Sequence, residues 1–503
     1  MSSISIRITA LRVALAFGAS FVTTLPEVAA QPPGGPSEAT TSLSDLITIA
    51  VRKSSALVLA RATRTRATLE IEAAGRGDEP VLTASIEGVI HRETAIPNAR
   101  AQVISEMHLE SNLGISKRIS TGGTVSLTMR SLEQARTFGE DPDVSTGSNT
   151  TNLSVSIAQP ILRGVGVGTA LRQKQARLTA DAATLGTLDA SARTIRDLVA
   201  GYWELAYARA NLGVREKSLA LAEAQLELTK KMFGRGAVPD AAVKAAAYGV
   251  AVRDELVVRA RGDLEAASIG LRMVAGLEIG PDEPILLPSD PLTTDPRELD
   301  VHALVATATS RNPRILAARS GIQLATLSVE VAANQALPAL DLSVSASAVG
   351  VGGAIDEAVQ RIAGGDSYLL RAGLSGQWEI GGGARASASA ARVDRTIARQ
   401  TAADVERDIV ASVVRVVART REARQRAGVA RRASELAQAN LSTELALFRA
   451  EKSSNVLVFQ RQTELDEAGL LEARAAIDYR LAMSDVEYLT GEILEHYGVA
   501  LAH

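Results

Sequence analysis

The stretch that most invites a chemical role is residues 159–173, Gln-Pro-Ile-Leu-Arg-Gly-Val-Gly-Val-Gly-Thr-Ala-Leu-Arg-Gln. Its glycines follow an alternating apolar run and precede a helical pattern, which is the context of a dinucleotide-binding loop. However, Thr169 stands where the third glycine of a G-x-G-x-x-G motif begun at Gly164 would fall. The helical pattern after it is also about twice the length of a whole nucleotide-binding unit of ~30 residues. The glycines are therefore predicted to let a strand bend into a helix, because glycine adopts backbone angles that other residues avoid.

Other residue types that perform chemistry form no recognisable site. The five histidines lack the spacing of metal ligands, and they are His91, His108, His302, His496 and His503. The tripeptide Arg-Gly-Asp at Arg76–Asp78 is predicted to be a charged link between a helix and a strand. There is no cysteine, which excludes disulfides and lipid attachment at cysteine. We therefore predict no catalytic residue, no metal and no cofactor, and a protein that is not an enzyme.

Composition points to an exported protein with long helices. Of the 503 residues, 46% are hydrophobic but only 3% are aromatic, and the net charge of −3 gives no basic surface for nucleic acid. Residues 1–30 are predicted to be a signal peptide, because two arginines precede an apolar run and small residues end it. After residue 30 no apolar run approaches ~18 residues, so the expected way to span a membrane is a closed β-barrel rather than a helix.

The chain repeats one order of elements. Proline-rich residues 277–298 are predicted to be an irregular connector between repeat 1, residues 31–276, and repeat 2, residues 299–503. Each repeat begins with a helical run, at 42–75 and at 300–336. In each, strands follow, within 80–162 and 338–380, and then a long helical hairpin, over 168–276 and 385–491.

The strand segments alternate strictly between apolar and polar residues. In residues 340–348, Leu, Val and Ala occupy one face while Asp and Ser occupy the other. A half-buried sheet of a soluble protein has this pattern, and so do the strands of an outer-membrane barrel. One copy of the chain offers only four to six strands, and a barrel needs about eight, so a barrel would require several copies.

The long helices carry a seven-residue repeat from Leu198 to Phe233, which is typical of a coiled coil. At ~1.5 Å per residue, the run from Gly168 to Phe233 would span about 100 Å. Each shorter return helix, placed end to end with the helical run that precedes the strands, would match that length. The lengths predict a helical wall built of parallel columns, which we call lanes. Each lane is one long helix or two short helices stacked end to end.

This order and spacing, with Gln159 and Gln377 at matching points, resemble the TolC-type outer-membrane efflux protein family over residues 42–492. The resemblance implies an α+β membrane protein in which a trimeric outer-membrane β-barrel continues into a periplasmic α-helical, coiled-coil barrel. It also implies a passive exit duct for a tripartite efflux pump or a type I secretion system. The duct's partners would be further copies of the chain, outer-membrane lipid, a periplasmic adaptor and, indirectly, an inner-membrane pump. The alternative is a secreted or periplasmic coiled-coil structural or adaptor protein.

By position, the resemblance assigns adaptor docking to two hairpin tips, which comprise Arg235, Gly236, Ala237 and Val238, and Glu451, Lys452, Ser453 and Ser454. Gly236 matches a family glycine, whereas Glu451 replaces it in the second tip. The acidic residues that narrow the entrance in the family correspond here to Leu457 and Gln460, so we expect an apolar constriction at Leu457 instead. The resemblance implies two barrel strands in each half of the chain, which gives twelve in a trimer. Residues 112–132 are predicted to form an additional hairpin, which either widens the barrel or lies outside it.

Overall fold

The computed structural model describes residues 38–92, 103–138, 145–165, 169–292, 297–365 and 367–499. The predicted signal peptide, residues 1–30, lies outside the described residues. The helices are α1 (Leu43–Lys53), α2 (Ser55–Gly75), α3 (Thr169–Gly234), α4 (Asp240–Ala275), α5 (Val301–Arg311), α6 (Pro313–Gln335), α7 (Ile355–Gly364), α8 (Gly383–Arg449), α9 (Asn455–Thr490) and α10 (Ile493–His496). The strands are β1 (Glu38–Thr41), β2 (Val81–Arg92), β3 (Val103–Arg118), β4 (Thr124–Phe138), β5 (Ser145–Pro160), β6 (Ile285–Pro288), β7 (Ala339–Gly352) and β8 (Tyr368–Gln377).

Two very long helices organise the helical section. Helix α3 has 66 residues and α8 has 67, so each spans about 100 Å at ~1.5 Å per residue. Helix α3 packs against α2 and α6 in one half and against α4 and α9 in the other, while α8 packs against α6 and α9. The contacts thus define four lanes, in which α3 and α8 are continuous and the other two consist of stacked shorter helices.

The helical runs predicted over 42–75 and 300–336 are each broken once. The first breaks at Ser54 and the second at Asn312, and both residues are buried. The Asn312 side chain accepts from a backbone N–H in the first turn of α6 and donates to the Leu489 carbonyl at 2.9 Å. The proline after Asn312 disfavours the helical conformation at Asn312 itself. The sequence therefore contained a signal for the second break, which the prediction of one continuous helix over 300–336 did not use.

The hydrophobic core lies where the short helices meet the middle of the long ones. At the centre of α3, four side chains are fully buried, namely Ile195, Leu198, Tyr202 and Leu205. The Tyr202 hydroxyl donates to Asp290 Oδ2 at 2.6 Å, and burial raises the pKa of Tyr202 to about 12. Strand β6 pairs in parallel with β1 beside this core. The segment 277–298 was predicted to be an irregular connector, but it supplies one strand, β6, of a small sheet.

The main sheet contains six strands in the order β2-β3-β4-β5-β7-β8, and every neighbouring pair is antiparallel. The additional hairpin predicted over 112–132 is β3 and β4, which extend well beyond those bounds. It occupies the middle of the sheet, where β3 pairs with β2 and β4 pairs with β5. The hairpin is therefore an internal part of the main sheet.

Helix α7 lies between β7 and β8, inside the segment 338–380 that was predicted to hold strands. It packs on β7 and β5, and Ala358 is fully buried there. A side chain at Gly350 would place its Cβ 1.8 Å from the Ala358 carbonyl oxygen. The glycine therefore makes room for the helix on the sheet.

By length and composition, α6 could cross a membrane, alone among the helices that the structure describes. This differs from the expectation that no helix would qualify. However, α6 packs along α8 and α3, and Arg319 pairs with Glu406 of α8 at 3.3 Å. These contacts place α6 in the helical wall.

Candidate functional site at the hairpin tips and the sheet

The first predicted tip, Arg235–Val238, joins α3 to α4. The Ala237 N–H donates to the Met232 carbonyl at 3.0 Å, and the Gly236 N–H donates to the Phe233 carbonyl at 2.8 Å. Gly236 has φ of 73°. This pairing and the left-handed residue form the turn that commonly ends an α-helix. The tip is exposed over most of its length.

The second predicted tip, Glu451–Ser454, joins α8 to α9 with the same turn. The Lys452 N–H donates to the Leu447 carbonyl at 2.9 Å, and the Glu451 N–H donates to the Phe448 carbonyl at 3.0 Å. Glu451 has φ of 60°, so it occupies the place of Gly236 in the same left-handed conformation. The Ser453 hydroxyl also donates to the Glu444 carboxylate. The two tips therefore have the same turn, although the first has glycine and the second has glutamate at the left-handed position.

A buried polar cluster links the two hairpins behind their tips. Ser218 of α3 donates to Asp466 Oδ2 of α9 at 2.5 Å and accepts from Arg253 Nε of α4 at 3.0 Å. Burial raises the pKa of Asp466 and lowers the pKa of Arg253. The Arg253 guanidinium also lies 5.4 Å from the centre of the Phe459 ring. The hydrogen bond from Ser218 to Asp466 thus joins the α3–α4 hairpin to the α8–α9 hairpin.

A second polar cluster lies closer to the tips. Gln225 Nε2 donates to Asn455 Oδ1 at 2.5 Å, and Asn455 Nδ2 donates to Thr229 Oγ1 at 3.1 Å. On α9, the Gln462 side chain is 1% exposed, and neither of its amide atoms has a hydrogen-bond partner in the described structure. We did not predict either cluster, although polar residues that recur in a coiled-coil segment were a signal.

The same region departs from the predicted leucine seam of α3. Leu198, Leu205 and Leu212 are buried as predicted, but Phe233 is 46% exposed. Beyond Leu212, where α3 lies between α4 and α9, the most buried positions are Ser218, Ala222, Gln225, Thr229 and Met232. The packing face therefore changes as the neighbouring helices change.

Leu457 and Gln460, the predicted constriction residues, both lie in the first turns of α9 beside the second tip. Leu457 is 41% exposed, whereas its neighbour Val458 is fully buried against Phe448 and Leu441. Gln460 Nε2 donates to Glu464 Oε1 at 3.0 Å. Both side chains are available at the surface of this protomer.

One face of the main sheet is largely apolar, and it is exposed across all six strands except near Gly350, where α7 covers it. The register places the following side chains on it: Leu82, Ile86, Ile90, Met107, Leu109, Leu113, Ile115, Leu127, Leu153, Val155, Ile157, Leu342, Val344, Leu370 and Leu374. On β7 this face runs from Leu340 to Ala348, about 27 Å along the strand at ~3.4 Å per residue and about 21 Å in height at a tilt of ~40°. Such a band is close to the ~25 Å apolar belt of outer-membrane barrels.

The opposite face is polar. Ion pairs join Arg130 to Glu110 and, at 2.6 Å, Arg136 to Glu106, and serines line most of β5 and β7. A sheet with one exposed apolar face and one polar face matches a wall between lipid and water.

The glycine-rich stretch that opened the sequence connects the sheet to α3. Gly164 has φ of 94°, and its N–H donates to Asn334 Oδ1 at 2.9 Å. A Cβ at Gly122, in the β3–β4 turn, would lie 2.5 Å from the Gly164 carbonyl oxygen, so two turns pack closely here. Gly166 and Gly168 lie outside the described residues.

The predicted Arg-Gly-Asp link, Arg76–Asp78, is a single 3-10 turn between α2 and β2, and Arg76 pairs with Glu72 of the preceding helix. No group of three or more metal-ligating side chains occurs among the described residues.

No protein-family model and no curated protein matches the sequence. Solved structures do match. The CmeC outer membrane channel of Campylobacter jejuni superposes with a TM-score of 0.67 and 14% identity, covering 90% of this chain and 86% of that chain. The outer membrane protein VceC of Vibrio cholerae gives a TM-score of 0.65 and 16% identity, covering 89% of this chain and 96% of that chain.

The MtrE outer membrane channel of Neisseria gonorrhoeae, in its open state, matches with a TM-score of 0.64 and 13% identity over 90% of this chain and 89% of that chain. The predicted fold, long helical hairpins joined to a sheet, is confirmed by these likenesses. The chain therefore has the fold of the solved TolC-type outer-membrane channels.

Proposed function

We propose that this chain is the outer-membrane exit duct of a tripartite efflux pump or a type I secretion system. The observation that carries the proposal is the exposed apolar face of the six-stranded sheet, which continues into helical lanes about 100 Å long. Lipid would cover the apolar face and cargo would pass the polar one. The duct would conduct passively, as the resemblance to the TolC-type family implies.

Closure of the duct requires other copies of the chain. Within the described protomer, the sheet ends at β2 on one side and at β8 on the other. Five antiparallel pairings separate these edges, so β2 and β8 run in opposite directions. The β8 strand of one copy is therefore oriented to pair with the β2 strand of the next. We infer a homotrimer, the assembly implied by the resemblance.

We also propose that the two halves, 31–276 and 299–503, are repeats of one structural unit. Supporting this, each return helix ends at a left-handed glycine that lies against the break between two short helices. Gly276 approaches the Lys53 carbonyl, where a Cβ would lie at 2.6 Å, and Gly491 approaches the Arg311 carbonyl, where it would lie at 3.0 Å. The same unusual contact in both halves is the pattern that a duplication would leave.

The hairpin tips, Arg235–Val238 and Glu451–Ser454, are proposed to dock a periplasmic adaptor, which would connect the duct to an inner-membrane pump. Their matching turns support this role, since an adaptor could recognise both in the same way.

At the entrance, Leu457 and Gln460 would line a constriction. If Leu457 forms an apolar barrier, Leu457→Ser should raise single-channel conductance, whereas an unchanged conductance would contradict the barrier.

The proposal is tested by extracting the mature chain from outer membranes in detergent and imaging it by electron microscopy with mass determination. We expect a threefold cylinder about 140 Å long, from ~100 Å of helical wall and about 40 Å of sheet. A soluble rod or monomer that needs no detergent would refute the duct and favour a periplasmic coiled-coil structural or adaptor protein.

A further inference from the structure

The β3–β4 hairpin is an integral part of the wall of the sheet. All residues of β2, from Val81 to Arg92, pair with β3, so β3 is the only strand that holds β2 in the described sheet. On the other side, β4 pairs with β5 from Thr124 to Thr137. A barrel that excluded the hairpin would have to break both ladders and pair β2 with β5 afresh.

The hairpin also carries both faces of the wall. Leu113 lies opposite Met129, which lies opposite Leu153, so at this level an apolar row crosses from β3 through β4 to β5. On the polar face, Glu110 of β3 pairs with Arg130 of β4. A hairpin lying outside the barrel would not need one apolar face and one polar face that continue those of the neighbouring strands, and this hairpin has both.

The turn of the hairpin is fixed at the end of the sheet nearest the helices. Thr121 Oγ1 donates to Gln159 Oε1 at 2.7 Å, and Gln159 Nε2 donates back to the Thr121 carbonyl at 3.3 Å. Gly122 packs on Gly164 in the linker that leads to α3. The hairpin thus starts level with the other strands, as a wall strand must.

The width of the sheet matches the width of the helical section. Six strands spaced ~4.8 Å apart and tilted by ~40° occupy about 38 Å of perimeter. Four helical lanes at ~9–10 Å occupy about 36–40 Å. Four strands would occupy only about 25 Å, and the duct would have to narrow where it enters the membrane.

We infer that three copies close an eighteen-stranded barrel as wide as the helical tunnel. Its diameter would be about one and a half times that of the twelve-stranded barrel that the family resemblance implies. This inference rests on the proposed function. The backbone diameter is about 36 Å for eighteen strands and about 24 Å for twelve. Barrels of 16–18 strands leave an open aqueous channel. The outer membrane would then add no size filter, and cargo size would be limited only in the helical section.

The chain contains no cysteine, so a single introduced cysteine can carry a nitroxide without background. We choose Leu370 on β8, which is 71% exposed on the apolar face. In a threefold ring, neighbouring copies of one residue are separated by about 0.87 of the diameter. In double electron–electron resonance on the detergent-extracted assembly, the spin–spin distance corrected for the length of the outward-facing label should therefore give about 31 Å between Cα positions for eighteen strands and about 21 Å for twelve.

Deleting residues 103–138 provides the matched comparison, because the label and its linker stay the same. We expect the Leu370 distance to fall by about 10 Å, whereas a second label at Val429 of α8, 57% exposed, should keep its distance. A full-chain distance near the shorter value, or no contraction on deletion, would overturn the inference while the Val429 label still showed the trimer. If the deletion variant fails to assemble, the full-chain distance alone decides. Absence of any distance at both sites would refute the duct itself.

Discussion

Replacing Glu451 with glycine should stabilise the second hairpin tip. Among the described residues, Glu451 is the only non-glycine residue with a positive φ, 60°. It holds the same place in its turn as Gly236, whose φ is 73°. In the described structure the Glu451 carboxylate makes no hydrogen bond or ion pair, so the substitution removes no side-chain contact.

The magnitude follows from two opposing terms. A residue with a Cβ pays about 1–2 kcal/mol in the left-handed conformation. Glycine relieves that strain, but its greater freedom in the unfolded chain costs about 0.5–1 kcal/mol. The net stabilisation of the tip should be about 0.5–1 kcal/mol, which corresponds to roughly a two- to fivefold change in a local opening equilibrium.

Hydrogen exchange measured by mass spectrometry on a peptide covering residues 446–455 is the suitable assay, since the effect is local and small beside the stability of the whole chain. Exchange should slow two- to fivefold in Glu451→Gly. Glu451→Ala is the matched control, because it removes the charge but keeps the Cβ, and it should not slow exchange. The reverse change, Gly236→Glu, should speed exchange at the first tip. Equal protection in the glycine and alanine variants would refute the backbone explanation.

Three further predictions concern contacts deeper in the fold. Gly276→Ala should destabilise the protein by about 2–3 kcal/mol in denaturant unfolding, because it adds left-handed strain and brings a Cβ within 2.6 Å of the Lys53 carbonyl. Asp466→Asn should weaken the pH dependence of unfolding. Burial raises the pKa of Asp466, so its contribution to stability is present below its unfolded pKa of ~3.9 and is lost as pH rises through its folded pKa. The wild type should therefore lose stability relative to Asp466→Asn as pH rises above about 4, as measured by unfolding midpoints. Gly350→Ala would bring a Cβ within 1.8 Å of the Ala358 carbonyl oxygen, which should displace α7 at a cost of about 1–3 kcal/mol and speed tryptic cleavage at Arg361 by about tenfold.

Each of these predictions has a matched control. For Gly276→Ala it is Gly236→Ala, where nothing lies within 4 Å of the added Cβ and only the backbone strain of about 1 kcal/mol should remain. Equal costs at the two sites would contradict the steric part. For Gly350→Ala it is Gly353→Ala, whose nearest contact would be an ordinary 3.7 Å. Parallel pH profiles for wild type and Asp466→Asn would show that burial of that carboxyl does not control the slope.

Local patterns were enough to predict most elements. The seven-residue repeat and the absence of proline between residues 161 and 238 predicted the helix from Gly168 to Phe233, and α3 runs from Thr169 to Gly234. Strict alternation predicted the strand at 340–348, which lies within β7. These predictions succeed because helical and strand periods are properties of neighbouring residues along one chain.

Patterns along the chain were thus enough to locate the periodic elements, the breaks between the long helices and the apolar and polar faces of the strands. Three features became visible only in the folded chain. Strands β3 and β4 stand between β2 and β5, α7 covers Gly350, and Ser218, Arg253 and Asp466 meet in one cluster. The reason is physical: a period reveals which face of an element is apolar, but many partners can satisfy the same face. The choice among them depends on hydrogen-bond register and side-chain fit between segments far apart in the chain.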